Sequence, residues 1–442
     1  MHDCCISHAT VLQLGKSETL LEDQTIHVRE GRIQAIVPEA PGATRGRVLD
    51  ARGRLVTPGW VNAHHHFYSA LARGLPGVRP STNFLEVLQN LWWRVDRALD
   101  LEGVYCSALA GCLDAIRAGT TVIVDHHSSP NCIGGSLDAI GQALSDCGLR
   151  GCLAYEVTDR NGPEGALAGI EENVRFAQAC ANQPEGPLRA LFGYHASFTL
   201  EPETLQRCDQ AAAVGFHGHL AEGTYDREAS QASFGQSSLE RLREAGFLGE
   251  GSVVGHGIDL TEDEARTLAE CGARLAHNPQ SNLNNAVGIA DLDTYASLGI
   301  PIVLGTDGMT QNLLQEARAG VWAQRQLRGD PGAGFTSVVD ALLLENPKLA
   351  GALFGDAGPT LQVGAPADLA IYDYRPTTQL TSDNLRGHLI YGLHEAAVST
   401  TMAGGRVLMH EGIIEVLDEA AALERCRAAA SKMWIRFAEL NA

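Results

Sequence analysis

An apolar segment that ends in three histidines constrains the fold of this chain more than any other stretch. Residues 55–61 are largely apolar, and the chain then reaches His64, His65 and His66. Such a run is typical of a buried strand, in which successive side chains point to opposite faces. His64 and His66 therefore share a face, and two imidazoles so placed form half of a transition-metal site. A hydrogen-bonded polar residue at a strand end is the alternative for any single histidine.

The composition indicates a large globular protein. The chain has 442 residues, of which 45% are hydrophobic, and a formal net charge of -20. That length allows one large barrel and an accessory domain, and the acidic balance argues against nucleic acid or an anionic membrane as the main partner. No apolar run reaches the roughly 18 residues of a membrane helix, and residues 1–5 lack a basic, apolar leader, which predicts a cytoplasmic protein. The 11 cysteines have no paired spacing and are expected to be reduced core residues.

The first part of the chain is predicted to be all β. Residues 24–29 and 32–37 alternate between apolar and polar side chains, and Glu30-Gly31 lies between them. That pattern is a hairpin signal.

Helices and apolar strands alternate from His66 onward. The pattern predicts helices over 85–99, 101–118, 165–181, 202–214, 237–245 and 261–271. It predicts strands over 120–127, 149–157, 188–198, 215–222, 252–257, 274–279 and 302–308. With the histidine strand, this repeat predicts an α/β fold with a closed (β/α)8 TIM barrel. An open doubly wound sheet is disfavoured because no Gly-x-Gly-x-x-Gly follows a strand.

Polar side chains with catalytic chemistry end most of these strands. They are His64 and His66, His126 and His127, His195, His219 and Glu222, His256, and Asp307. A barrel enzyme places its catalytic groups at the carboxyl ends of its strands. Chance would not bring so many of the 16 histidines to those positions, so this set predicts an active site.

The residue types suggest a role for each group. His64, His66, His219 and Asp307 offer three nitrogens and one carboxylate, a set suited to Zn2+ or Fe2+, and such an ion lowers the pKa of a bound water. Glu222 is predicted to carry protons between water and a leaving group. His256 is predicted to polarise the electrophile or to orient the hydroxide, and Asp307 to accept a proton as well as to ligate. His217 lies deeper on the same strand and is interpreted as packing.

Five motifs along the barrel resemble those of the amidohydrolase superfamily, in its branch of metal-dependent aminohydrolases and chlorohydrolases. The motifs are Pro-Gly-x-x-Asn-x-His-x-His at 58–66, His-x-His-x-x-Glu at 217–222, the strand-end His256, His-Asn-Pro-x-Ser-Asn at 277–282 and Gly-Thr-Asp-Gly at 305–308. Segments 83–94 and 277–288 look closest to the SsnA-type aminohydrolases. The resemblance implies a barrel over 58–358 and a small composite β-sandwich built from 1–57 and 359–442, the latter ending in a helix over about 417–440.

The resemblance also implies one divalent metal ion per subunit, with Zn2+ expected in preference to Fe2+. Dinuclear members carry a bridging carboxylated lysine on a middle strand, and the predicted strands 149–157 and 188–198 contain no lysine. Many relatives have threonine where this chain has His65, which leaves open which two of the three histidines ligate. Strand alternation favours His64 and His66.

Substrate contacts are expected from loops at the same barrel face. The candidates are Tyr68, Arg73, Trp92, His126, His127, His195 and Asn282. Trp92 and the adjacent Trp93 could stack on a flat heterocycle or pack within a helix. The predicted reaction is hydrolytic deamination of a purine- or pterin-like heterocycle. Hydrolysis of a C–Cl or cyclic amide bond is the alternative, and a metal-free scaffold protein is a third. A homo-oligomer is expected, and the terminal helix could cap the barrel or join a subunit interface.

Overall fold

The computed structural model describes residues 3–15, 17–38 and 46–440. The first segment forms β1 (Cys4–Gln13), β2 (Thr19–Arg29), β3 (Arg32–Pro38), β4 (Arg47–Asp50) and β5 (Leu55–Pro58). The hairpin prediction is confirmed, since β2 and β3 pair antiparallel and Glu30 and Gly31 both have positive φ, as in a tight two-residue turn. The predictions that concern residues 1–2, 16, 39–45 and 441–442 lie outside the described residues.

The barrel prediction is confirmed. Its strands are β6 (Trp60–His65), β7 (Thr120–His127), β8 (Arg150–Tyr155), β9 (Leu188–Ala190), β10 (Phe192–Ala196), β11 (Phe216–Leu220), β12 (Val253–His256), β13 (Arg274–His277) and β14 (Ile302–Leu304). They pair in parallel, and β9 and β10 are two halves of one predicted strand. The seam between β14 and β6 closes where the amides of Thr306 and Asp307 donate to the carbonyl of His64, at 2.9 and 3.0 Å. The strand ends of 64–66 and 307 therefore lie side by side.

Helices surround the barrel. They are α1 (Phe84–Val87), α2 (Trp93–Ala98), α3 (Leu101–Ala118), α4 (Ser136–Cys147), α5 (Gly162–Ala181), α6 (Pro202–Ala211), α7 (Thr224–Phe234), α8 (Ser238–Glu244), α9 (Glu262–Cys271), α10 (Pro279–Asn284), α11 (Leu292–Ser297), α12 (Leu313–Arg328), α13 (Phe335–Asp340) and α14 (Asn346–Phe354). Helix α3 has the bounds that the sequence predicts, and a left-handed Gly119 ends it. The predicted helix over 85–99 is not regular, because a π-helical turn, Leu88–Trp92, connects α1 to α2.

The end of the chain returns to the first sheet. It forms β15 (Leu369–Tyr372), α15 (Leu385–Tyr391), β16 (Val398–Ala403), β17 (Arg406–His410), β18 (Ile413–Ile414) and α16 (Glu419–Glu439). Strand β5 lies between β1 and β15, so N- and C-terminal strands share one sheet in the order β18-β17-β16-β15-β5-β1-β2-β3, with β4 on β1. Ile6, Ile33 and Met402 all belong to one hydrophobic cluster of this sheet. Strands from both ends of the chain thus form one sheet with a shared core.

Gly59 connects this sheet to the barrel. A Cβ at this position would lie 2.3 Å from Thr121 Oγ1, so the close approach of β5 and β6 to β7 requires glycine. This connection places β6, which carries the histidines, directly after β5, the strand that pairs with both β1 and β15. Among the described residues, no helix is both long and apolar enough to cross a bilayer.

Candidate metal and active site

Three histidine rings converge at the carboxyl end of the barrel. His64 and His66 come from the end of β6, His219 comes from β11, and their ligand atoms lie within 4.8 Å of one another. His66 Nε2 is 3.2 Å from His219 Nε2. His64 Nε2 is buried and has no hydrogen-bond partner among the described residues. When buried imidazole nitrogens face one another and no hydrogen-bond donor lies between them, a bound cation would satisfy them.

The opposite nitrogen of each ring holds it in place. His66 Nδ1 lies 2.5 Å from the carbonyl oxygen of His126 and donates to it, and His219 Nδ1 donates to the carbonyl of His195 at 2.9 Å. His64 Nδ1 lies 2.8 Å from His217 Nε2. The carbonyl acceptors put the proton of His66 and of His219 on Nδ1, and His64 can take the same tautomer by donating to His217, which would leave each Nε2 free to ligate. His217, interpreted from sequence as packing, is therefore a hydrogen-bond partner of His64.

His65 points away from this cluster. Its Nδ1 lies 3.1 Å from Thr306 Oγ1, and its Nε2 lies 2.8 Å from Gln311 Nε2. The structure thus brings His64 and His66 together on one face and leaves His65 on the other, as strand alternation predicts.

Asp307 brings the carboxylate that the sequence predicts as the fourth ligand. Its Oδ1 lies 3.0 Å from His66 Nε2, and its Oδ2 accepts a hydrogen bond from Ser281 at 2.5 Å. Burial acts to raise the pKa of Asp307, but the surrounding imidazoles, His66 before His256 and His219, outweigh burial and hold that pKa below its ordinary value. Its backbone φ of 52° is uncommon for a non-glycine residue and is typical of functional positions.

A second trio surrounds the same carboxylate. His256 Nε2 is 3.6 Å from Glu222 Oε2 and 3.9 Å from Asp307 Oδ2. Asn282 Oδ1 lies 2.9 Å from His256 Nδ1 and accepts a hydrogen bond from it, which directs Nε2 toward the two acids. Burial, followed by the charge of Asp307, raises the pKa of Glu222 well above its ordinary value. A carboxyl group with a raised pKa can serve as both acid and base.

A third group of charges lies on another side of the histidines and was not predicted from the sequence. Glu156 follows β8, with Oε2 3.6 Å from His126 Nδ1 and Oε1 3.9 Å from His195 Nε2. Burial raises the pKa of Glu156 to about 7, against the lowering effect of Arg160. The expectation that catalytic groups lie at the ends of barrel strands would have identified Glu156, because this residue directly follows an apolar strand. Asp96, which also contacts Arg160, lies on a helix and has no such signal.

The pocket over these groups contains only part of the predicted substrate-binding set. Tyr68, Trp92 and His195 line it, together with Trp93. Lining residues that the sequence did not reveal are Ser69, Phe84, Leu88, Asp96, Glu156, Ser281, Asn285 and Met309. Aromatic and apolar side chains thus form one part of the lining and acidic side chains another, as in many sites for flat heterocycles.

Four predicted substrate contacts need correction. Arg73 is exposed and pairs with Asp114 at 2.8 Å, outside the pocket. His127 is buried and lies 2.9 Å from Ser129 Oγ, so it faces away from the lining. His126 lies beneath the histidine cluster, with its Nε2 2.9 Å from the carbonyl of Tyr194. Asn282 supports His256 from behind. Sequence position identified the correct barrel face in these cases but not the direction of each side chain.

Known proteins match this chain over most of its length. The model of the amidohydrolase family matches residues 55–408. The 5'-deoxyadenosine deaminase of Methanosarcina acetivorans is 28% identical over 444 residues, covering 99% of each chain. The 5-methylthioadenosine/S-adenosylhomocysteine deaminase of Desulforudis audaxviator is 29% identical and covers 92% of this chain and 94% of its own length. Among solved structures, an adenosine deaminase from Xanthomonas campestris with bound zinc superposes with a TM-score of 0.83 at 24% identity, covering 98% of both chains.

Proposed function

We propose that this chain, which belongs to the amidohydrolase family and hydrolyses non-peptide carbon–nitrogen bonds, deaminates the exocyclic amine of an adenine nucleoside. The predicted resemblance to this family and the predicted deamination of an amino-substituted heterocycle are confirmed. The proposal adds that the heterocycle is adenine and that it carries a sugar. They are supported by the adenosine-type substrates in the names of both relatives and by the aromatic lining around Trp92 and Trp93.

The observation that carries the proposal is the position of Glu222 next to His256 and Asp307, beside the three converging histidines. Deamination needs a group that moves protons and a group that stabilises the added oxygen. An amine is a poor leaving group unless it is protonated, so a carboxyl group with a raised pKa, which can deliver protons, favours deamination over loss of chloride.

The residues present fit one divalent ion. His64, His66 and His219 would hold it through Nε2 and Asp307 through its carboxylate, and three nitrogens with one carboxylate suit Zn2+, with Fe2+ as the alternative. When bound, such an ion makes water available as a nucleophile near neutral pH. His217 and the carbonyls of His126 and His195 would keep the three rings oriented.

The protein's own side chains would then move the protons. Glu222 takes a proton from the attacking water and delivers it to the ring nitrogen beside the reacting carbon. His256 Nδ1 donates to Asn282, so its Nε2 can accept a hydrogen bond from the water that adds to that carbon and orient it. Asp307, hydrogen-bonded to Ser281, takes the proton of the added hydroxyl and passes it to the amine, which leaves as ammonia.

Ammonia release tests the proposal. Zinc-loaded protein should release ammonia from 5'-deoxyadenosine or adenosine, and Glu222→Gln should lower kcat by about 1,000-fold while it leaves the metal content unchanged. Glu250→Gln is the matched control, because it removes the same charge from an exposed position. Full activity of Glu222→Gln would contradict the assigned role, and absence of ammonia with every adenine nucleoside would contradict the proposed substrate.

A further inference from the structure

A buried group of polar side chains connects β6 to the residue that precedes Asp307. Asn62, His65, Thr306 and Gln311 form this group, and each of them is at most 4% exposed. Buried polar atoms cost free energy unless they are paired, so their partners have to be accounted for. The proposed proton transfers use none of these four side chains, although Thr306 lies next to Asp307 in the chain.

The hydrogen bonds within this group determine which atoms donate and which accept. Asn62 Nδ2 donates to Gln311 Oε1 at 3.0 Å, so the other end of the glutamine amide, Nε2, is the donor toward His65 Nε2 at 2.8 Å. Because His65 Nε2 accepts, its ring carries the proton on Nδ1. That Nδ1 lies 3.1 Å from Thr306 Oγ1 and donates to it.

The hydroxyl group of Thr306 connects His65 to the backbone of Asp307. Its Oγ1 accepts from His65 Nδ1 and from Asn62 Nδ2, the latter at 2.7 Å, and these two donors use both of its lone pairs. The hydrogen of the hydroxyl is then directed to the carbonyl oxygen of Asp307, which lies 3.5 Å away. The ring of His65 thus fixes the direction in which Thr306 donates.

Asp307 depends on such contacts because of its backbone conformation. Its φ of 52° lies in the left-handed region, which costs free energy for a residue with a Cβ and persists only where the surroundings hold it. The amide of Asp307 donates to the carbonyl of His64 at 3.0 Å, and its carbonyl accepts from the amide of His66 at 3.3 Å. The contact from Thr306 adds to these two and depends on side chains, so a substitution can remove it.

We infer that His65 is a positioning residue for the metal-binding carboxylate: through Thr306 it holds Asp307 in the left-handed conformation that turns its side chain toward the three converging histidines. In that conformation Asp307 Oδ1 lies 3.0 Å from His66 Nε2. The inference deepens the proposed function, on which its kinetic expectation rests. Groups that orient a metal ligand from behind typically change metal affinity or activity by about 10- to 100-fold when they are removed.

Two substitutions of His65 test this inference together. Leucine fills a similar volume but neither donates nor accepts, whereas a glutamine amide can accept from Gln311 through its oxygen and donate to Thr306 through its nitrogen. In the zinc-loaded enzyme, His65→Leu should lower kcat with adenosine by about 10- to 100-fold and leave KM within about threefold of the wild-type value, because Asp307 acts on the added hydroxyl and not in binding. His65→Gln should recover most of that loss.

Cobalt substitution gives a readout that does not depend on the substrate. The visible absorption of protein-bound Co2+ reports the number and geometry of its ligands. At saturating Co2+, His65→Leu should therefore change the position and intensity of the absorption bands, and His65→Gln should restore them. Thr306→Val removes the hydroxyl that connects His65 to Asp307, so it should reproduce the His65→Leu spectrum and serves if that variant does not fold.

His410→Leu is the matched control. His410 Nδ1 lies 3.1 Å from Thr400 Oγ1 in the composite sheet, so this substitution removes the same kind of histidine–threonine contact from a strand outside the barrel. It should leave both the cobalt spectrum and kcat at their wild-type values.

The outcomes separate this inference from the proposed function. A His65→Leu protein with the wild-type cobalt spectrum would overturn the inference even if kcat fell, and so would a His65→Gln protein that is as impaired as His65→Leu. Absence of turnover by the wild-type enzyme with every adenine nucleoside would overturn the proposed substrate, and the cobalt spectra would still decide the role of His65.

Discussion

His217 shows how one residue outside the ligand set can control a metal site. Its Nε2 lies 2.8 Å from His64 Nδ1, and it is the only side-chain contact that the structure gives to that nitrogen among the described residues. We expect His217→Ala to lower zinc affinity by about 10- to 100-fold, because His64 loses the partner that fixes its tautomer and orientation. Competition with a chromogenic chelator measures this affinity.

His217→Gln is the matched variant for that experiment. Its side-chain oxygen can still accept from His64 Nδ1, so affinity should return toward the wild-type value. Equal affinities for the wild type, the alanine variant and the glutamine variant would contradict the orienting role.

At the residue scale, the sequence places the histidines, Glu222 and Asp307 at or shortly after the carboxyl ends of barrel strands, and the structure brings these side chains together. The side chains of Arg73 and His127 turn away from the pocket. His127 ends β7, where alternation turns it from the face of His126, whereas Arg73 lies outside the strands and takes its direction from its contact with Asp114. Sequence position therefore identified the correct end of the barrel but not these two side-chain directions.

Strand β11 shows what a single element contributes to the site. It carries His217 and His219 on one face, with Gly218 between them. A Cβ on Gly218 would lie 2.4 Å from the carbonyl oxygen of Tyr194 on the neighbouring strand. Glycine at this position therefore sets the spacing between β10 and β11 and, through it, the location of His219.

Gly218→Ala should displace β11. We expect a loss of about 1–3 kcal/mol in the free energy of unfolding and a lower metal content, because His219 and Glu222 move together. Gly249→Ala is the control, since nothing lies within 4 Å of an added Cβ there. Thermal unfolding and metal analysis test both variants, and a Gly218→Ala protein with wild-type stability and metal content would contradict this account.

The helix over 84–98 marks the limit of prediction for elements. Its apolar pattern predicts one regular helix, yet Leu88–Trp92 is a π-helical turn, and Leu88, Trp92, Trp93 and Asp96 all line the pocket. Such turns are common at functional sites. A single extra residue per turn changes the periodicity too little to be visible in a short segment, so sequence alone predicts the helix but not its irregular turn.

At the scale of the whole molecule, the order of barrel strands was predictable because each strand has its own local apolar pattern. The composite sheet depends instead on partners far apart in the chain, such as the pairing of Leu369 with Pro58. Local patterns cannot reveal such a pairing, so only the resemblance indicated that the two ends of the chain meet. The expected self-association stays a prediction.

Helix α16 secures the C-terminal end of the chain to the barrel. Phe437 is 1% exposed, and the Arg94 guanidinium stacks 4.1 Å from its ring centroid. Phe437→Ala should lower the free energy of unfolding by about 3–5 kcal/mol through lost burial and a cavity. Ile435→Ala, at a position 61% exposed, should change it by less than about 0.5 kcal/mol. Denaturant unfolding measures both variants. Equal free energies of unfolding for Phe437→Ala and Ile435→Ala would show that α16 does not pack on the barrel as described.

The most direct test of the central claim is whether the new oxygen atom of the product comes from water. Zinc-loaded protein would be incubated with adenosine or 5'-deoxyadenosine in oxygen-isotope-labelled water, and the mass of the product would be measured by mass spectrometry. Hydrolytic deamination predicts one labelled oxygen in the product for each ammonia released, and no product with Glu222→Gln. An unlabelled product, or labelling that Glu222→Gln does not prevent, would contradict a deamination in which Glu222 transfers the proton from water.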